Sequence, residues 1–533
     1  MSLLRASAVM ATGTILSRVL GLAKVIVLAA AIGQTSSISA DAFANGNMLP
    51  NTVYTILLGG MLNAVLVPQI VRAARNPDGG TGYINKVLTF VIVALTIITA
   101  LAMLGAPLLV WLFQLSWPAD QLALSAAFAY WCLPQILFYG IYTVMGEVLN
   151  ARSVFGPYTW APVLNNIISI AGIVLFMMWF GADPTGARAP GDWNGLAIAV
   201  LAGSATLGVV AQALILFASW RRAGLSYRPD FVWRGMGLGA TAKIASWSLA
   251  MIAVIQIGGW VTSNVVGTAT GQGPSSASLG NAWLVLMMPH SVLAVSLATA
   301  YFTRFAEAGR DGRMADFRAD FSASVRQVSL VMVFAAGAIF AAATFLSPLI
   351  ERGSPLQVEQ FALVLRTYVL CLAPFSFLFI VQRSFYALSD TRTPFIFTCV
   401  QQGLFIVLAV TCLWVPADIR GAAVTLAYSI ATFAQALVGT ILLRRKIGRI
   451  DGQRVLGSMV RFTLAVLPAV LAGLGVSLAL QHWVPAYNVW QSFAFAIVVG
   501  IAVGLVYLMV LLAMRSPEIT EIAGTLRRKL GRG

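Results

Sequence analysis

The sequence predicts an all-α polytopic membrane protein of about fourteen transmembrane helices, arranged as two six-helix lobes and a C-terminal pair. Three observations predict it. Of 533 residues, 59% are hydrophobic and 10% charged, against a charged share of about 25% in soluble domains. Mean hydropathy is +0.86. The apolar residues also fall in runs close to the roughly 20 residues that cross a bilayer as a helix.

Taken in order, the runs lie near residues 8–32, 43–70, 87–113, 122–147, 157–180, 193–220, 238–265, 279–303, 322–347, 360–387, 393–414, 421–443, 458–480 and 489–514. Pro50 and Pro289 interrupt the second and eighth. An even count puts both termini on one side. All but six of the 34 lysines and arginines fall on that side or at its membrane edge. The exceptions are Arg188, Arg352, Arg366 and Arg420 toward the other face, and Arg18 and Lys24 inside the first span. Basic residues beside a span resist translocation, so the N- and C-termini are expected in the cytoplasm. The loops that carry the bias include RRAGLSYRPD (221–230), RFAEAGRDGRMADFRAD (304–320) and RRKIGRIDGQR (444–454). Anionic lipid head groups along one face account for the net charge of +16 without nucleic acid.

A cleavable signal needs a short, uncharged apolar core. The first span instead runs on past Arg18 and Lys24, so LAAAIG reads as a helix end. Cys132, Cys371, Cys399 and Cys412 all fall inside spans without ligand spacing and read as small core residues. His290 and His482 stand too far apart for a metal site. There is no Walker A sequence, and GMGLGA at 235–240 lacks the last glycine of a dinucleotide motif. No nucleotide motor, cofactor or metal is expected; coupling to the membrane potential, H⁺ or Na⁺ stays open.

An internal repeat is visible. LNARSVFGPY (149–158) follows the fourth span and FYALSDTRTPF (385–395) the tenth. MLPNTV (48–53) lies in the second span and MMPHSV (287–292) in the eighth. Both offsets equal about six spans, which suggests a first lobe at 1–222 and a second at 223–446, with spans thirteen and fourteen at 447–514 left over. Proline bends a helix, and a bend is tolerated at membrane depth where the freed carbonyl faces protein or a cavity. Pro50 and Pro289 are therefore expected as matched bends beside a central cavity, or else as ordinary kinks. The tail at 515–533 carries Ile519, Ile522 and Leu526 ahead of basic residues and reads as a short interfacial helix.

An ionised side chain near the bilayer centre costs about 2.5–3.5 kcal/mol on insertion scales, so each is a functional candidate. Arg18 lies about 15 Å into the first span and Lys24 about 9 Å further. Lys24 can alternatively snorkel to the interface, and Arg18 can pair with a buried acid. Ser17, Gly21 and Lys24 follow i, i+4, i+7 spacing, a polar, small-residue stripe with Arg18 at its edge. Acids are scarce: Asp41 starts the second span as either an N-cap or a site residue, and Glu147 reads as interfacial. The cationic balance suits a phosphate or pyrophosphate, which Arg meets with a planar fork and Lys with a mobile point charge.

SRVLGLAK (17–24), ADAFANGNMLPN (40–51), GGMLNAVLVP (59–68), LNARSVFGPYTWAPVLNN (149–166) and YALSDTRTP (386–394) closely resemble the MurJ (MviN) lipid II flippases of bacterial cell-wall synthesis. That family belongs to the multidrug/oligosaccharidyl-lipid/polysaccharide exporter superfamily. The resemblance implies fourteen helices, two lobes around a cationic cavity, and a last helix pair forming a groove for the polyprenyl tail. It implies that Arg18, Lys24 and Asp41 match positions required for transport. Three places depart from the family pattern. Val25 follows the second cation where an acid is common, Tyr54 stands near an expected arginine, and Leu284 and Met287 replace an arginine and an acid before Pro289. The anion site then leans on Arg18 and Lys24, or on Ser17, Asn51 and Asn165.

The expected function is that of a lipid II flippase, a transporter and not an enzyme. Its expected partners are lipid II, membrane lipids and cell-wall synthesis or division proteins. Gly21, Pro50 and Pro289 are its candidate hinges. The rivals are an ion-coupled exporter of drugs or other polyprenyl-linked sugars, and a non-transporting scaffold.

Overall fold

The structure, a computed structural model, describes residues 3–56, 73, 78, 80–152, 154, 156–220, 224–233, 238–448, 450–484 and 488–519. Among them are thirteen helices long and apolar enough to cross a membrane. The second expected span is represented by Ile38–Tyr54. Its remainder with GGMLNAVLVP, part of GMGLGA, and the tail past Ile519 with Ile522 and Leu526 lie outside the described residues. The chain divides into two compact units, residues 1–280 and 281–533.

The first unit holds α1 (Leu3–Ile32), α2 (Ile38–Tyr54), α3 (Thr81–Leu104), α4 (Ala106–Phe113), α5 (Ala119–Cys132), α6 (Gln135–Ala151), α7 (Gly156–Phe180), α8 (Gly195–Trp220) and α9 (Leu238–Gly267). Ser37 caps α2 by accepting from the Ala40 amide at 3.1 Å, so Asp41 sits in the first turn and is not the N-cap. The expected third span breaks at Gly105 and the fourth at Leu133–Pro134, since proline supplies no amide to continue a helix. Gly46 lets α2 lie against α5, where a Cβ would stand 3.0 Å from the Ala129 amide and the Ser125 carbonyl. Leu88, Val91, Leu95, Met145 and Val148 form one core. Phe128, Phe176 and Trp193 form another, their rings 5.0–5.4 Å apart.

α10 (Ser276–Pro289) bridges the division. The second unit continues with a wide π-type turn, His290–Ala294, and then α11 (Val295–Arg310), α12 (Met314–Ile350), α13 (Pro355–Val369), α14 (Leu372–Ala387), α15 (Arg392–Thr411), α16 (Ala417–Ile447), α17 (Gly452–Trp483) and α18 (Val489–Ala513). The segment 304–320, expected as a loop, is helical except at 311–313. Phe305, Ala308 and Phe317 are buried, and Arg304 pairs with Asp320 at 2.6 Å. Ser354 with Gln357 and Asn488 with Gln491 form capping boxes that start α13 and α18. Cys132, Cys371 and Cys412 are buried, and Cys399 is half-buried.

Candidate functional site

α1 carries both intramembrane cations. Arg18 is exposed and Lys24 half-buried, and among the described residues neither has a hydrogen-bond or ion-pair partner. Ser17 and Gly21 are turned toward α7. Asn166 Nδ2 donates to the Ser17 carbonyl at 2.9 Å, and a Cβ on Gly21 would lie 3.9 Å from the same nitrogen. α7 thus covers the first two members of the small-residue stripe. Arg18, about 100° further round the helix than Ser17, stays open.

Asn165 faces the other way. Its Nδ2 donates to Gln212 Oε1 on α8 at 2.8 Å, and its Oδ1 accepts from Ser169 at 3.3 Å. Gly208 makes room for it, since a Cβ there would stand 2.4 Å from Asn165 Oδ1. Of the tandem asparagines, Asn166 is therefore the one that reaches the cation-bearing helix.

Asp41 is fully buried. Its Oδ1 accepts from the Ala277 amide at 2.9 Å, 236 residues along the chain, where α10 begins. A carboxylate suits a helix N-terminus because unpaired amides and the helix dipole concentrate positive charge there. The Thr35 and Ser278 hydroxyls lie 3.1 Å apart beside this start. The end of α9 is tied to the α4–α5 turn. Trp260 Nε1 donates to the Leu112 carbonyl at 2.7 Å, Asn264 Oδ1 accepts from the Leu115 amide at 2.9 Å, and Trp117 Nε1 donates to the Gly267 carbonyl at 3.0 Å.

Asn51 is exposed and Pro50 buried, and the helix widens at Thr55–Ile56. Pro289 likewise precedes the wide turn His290–Ala294. Each proline of the sequence repeat thus has a widened turn within six residues, so the likeness extends to backbone shape. Tyr54, near the family's arginine position, donates its hydroxyl to Thr143 Oγ1 at 2.8 Å. Leu284 and Met287 are half-buried. Their neighbour Trp283 packs against Tyr368 and Phe375, each 5.5 Å away, and Tyr428.

Sequence reasoning missed a set of uncharged polar contacts in the first unit. Gln135 Nε2 donates to Thr206 Oγ1 at 2.9 Å and to Asn47 Oδ1 at 3.3 Å, while Tyr139 donates to Gln135 Oε1 at 2.9 Å. Their only sequence signal is an isolated amide or phenol inside an apolar run. In the second unit an apolar groove of about 190 Å³ lies between α12 and α18, lined by Leu330, Phe334, Gly504, Tyr507, Leu511 and Ile519 among others. Among the described residues no group of three or more His, Cys, Asp or Glu is placed to hold a metal ion.

Long apolar helices with polar groups inside them, and two cations on a membrane helix that have no partner among the described residues, define a multi-pass membrane protein with a polar site at membrane depth. Residues 28–515 match the family described as "Lipid II flippase MurJ". The chain belongs to that family.

The "Probable lipid II flippase MurJ" of Haemophilus influenzae is 28% identical over 516 residues, covering 90% of this chain and 93% of its own. That of Rhizobium tropici is 25% identical over 551 residues, covering 99% and 97%. The solved structure "Lipid II flippase MurJ, inward closed conformation" matches with a TM-score of 0.71 at 18% identity, over 98% of this chain and 99% of that one. An inward-facing multidrug resistance MATE family transporter of the MOP superfamily matches at 0.65 and 16% identity, over 82% and 96%. The two structures share the fold.

Proposed function

We propose that this protein carries lipid II, the undecaprenyl-pyrophosphate-linked peptidoglycan precursor, from the inner to the outer leaflet of the bacterial plasma membrane by alternating access. Both termini lie in the cytoplasm. The observation that carries the reading is the open guanidinium of Arg18, with Lys24 six residues on and no acid paired to either among the described residues. An uncompensated cation on a membrane helix is costly, and a pyrophosphate supplies the missing anion. Arg18 offers it a two-pronged donor and Lys24 a mobile charge. Ser17 and Asn51 are the proposed uncharged donors beside them. Family membership supports the substrate. Membrane lipids, and cell-wall synthesis or division proteins, are the proposed partners.

The test is complementation of a flippase-depleted strain. The unmutated chain restores growth, and Arg18→Ala and Lys24→Ala each fail at normal membrane levels. Full rescue by both variants would remove the anion site.

A further inference from the structure

α12 runs for 37 residues, and near its start Arg318, Ser322 and Arg326 recur every four residues. That spacing puts them on one stripe. Each grips a different stretch of chain leading into or out of the C-terminal pair α17–α18. Arg318 Nε donates to the carbonyl of Ile447, the last residue of α16, at 2.8 Å. Ser322 donates to Asp451 Oδ2 at 2.8 Å, one residue before α17 begins. Arg326 Nη1 donates to Glu518 Oε1 at 3.0 Å, just past the end of α18.

Glu518 is held from several sides. Ser458 on α17 donates to Oε1 at 2.6 Å, Ser516 donates to Oε2 at 2.7 Å, and Arg461 Nη2 lies 3.7 Å from Oε2. The Arg326 and Glu518 side chains are only 7% and 3% exposed. A pair this deeply buried penalises any motion that separates it, because each charge left alone is uncompensated.

Further along, the three helices close on glycines. A Cβ on Gly337 of α12 would lie 2.5 Å from Val466 Cγ2 on α17. One on Gly473 of α17 would lie 2.5 Å from Val503 Cγ2 on α18 and 2.9 Å from Ala341 Cβ on α12. Phe345, Phe462, Val499 and Val503 fill the space between them without exposure.

We propose that α17 and α18 move with α12 as one rigid body, fastened at entry and exit by the Arg318–Ser322–Arg326 stripe with Glu518 as the latch. The pair is outside the sequence repeat, yet α12 holds the chain at both its ends. The inference goes beyond the lipid II reading and does not require it: a lipid chain seated in the α12–α18 groove travels with α12 whatever its head group.

Two measurements on the full-length protein in nanodiscs of phosphatidylethanolamine and phosphatidylglycerol test it. Glu518→Gln speeds amide hydrogen exchange at 511–519 and 452–458 by more than threefold while leaving 81–104 unchanged; threefold or less would overturn the latch. Should that variant fail to reach the membrane folded, Arg326→Gln with Glu518→Gln removes both charges and is read by the same criterion. In Gly337→Cys/Val466→Cys, oxidation to a disulfide leaves lipid II translocation within threefold of the reduced form. A greater loss means that α12 and α17 separate during transport, and overturns the rigid body. An unmutated chain that moves no lipid II counts against the flippase reading alone, since the exchange criterion stands without it.

Discussion

Replacing Asp41 separates a structural contact from a role in transport. The carboxylate is fully buried and accepts the Ala277 amide at the first turn of α10. A hydrogen bond to a charged group contributes about 1.5–3 kcal/mol, and a carboxylate at a partly buried helix start up to about 2 kcal/mol. The two descriptions overlap, so Asp41→Ala costs local stability about 2 kcal/mol. At about 1.4 kcal/mol per decade, that speeds amide exchange at residues 277–280 roughly 30-fold. Asp41→Asn keeps an acceptor oxygen and loses the ionisable carboxyl, which costs at most about 1 kcal/mol and roughly fivefold. Hydrogen exchange with mass spectrometry, on protein in lipid nanodiscs, reads both values. Exchange at 277–280 within twofold of wild type in Asp41→Ala would refute the capping argument. If Asp41→Asn transports as poorly as Asp41→Ala despite milder exchange, the charge itself serves transport.

Other perturbations have equally direct outcomes. Outward movement of a pyrophosphate with about two negative charges gains about 2.3 kcal/mol per charge per 100 mV from an inside-negative potential. Collapsing that potential in intact cells therefore slows flipping, and an unchanged rate rules out the potential as the drive. Burial alone would raise the Glu518 carboxyl, but hydrogen bonds from Ser458, Ser516 and Arg326 outweigh it and hold the group at about 2, below the roughly 4.3 of a free glutamate. Its contribution, about 1–2 kcal/mol once solvent screening is allowed for, is complete above about pH 4.3 and is lost as pH falls toward 2. Acid titration of unfolding shows that slope in wild type and not in Glu518→Gln; equal slopes would contradict it. Gly473→Val places methyl groups where a Cβ already stands 2.5 Å from Val503. The variant loses about 2 kcal/mol or more to overpacking, read as a lower thermal midpoint in detergent, and an unchanged midpoint would mean that α17 and α18 are less tightly joined.

Hydropathy and charge made the membrane class and most spans legible, because lipid demands long apolar helices wherever a chain crosses it. The breaks inside spans were harder to see, as Gly105 and Leu133–Pro134 interrupt α-helical hydrogen bonding without interrupting hydrophobicity. Polarity misled at 304–320, where burial of Phe305 and Phe317 sustains the two helices that charge made look like a loop. At the site, Arg18 and Lys24 stood out because a cation in lipid is rare. The partners of neutral residues did not, for they depend on which helices meet. Asn165 and Asn166 are adjacent in sequence and part toward different helices, and the Asp41–Ala277 contact joins positions that no local pattern relates.

The wide turn at His290–Ala294 has a practical bearing on mutagenesis. A π-type turn holds one residue more than the α-helical turn it replaces, and one residue is worth about 100° of rotation. A helical wheel drawn straight through from Ser276 to Arg310 therefore assigns every position after Val295 to a face roughly 100° from its own. Scanning data across this stretch need two wheels, phased separately on either side of the turn.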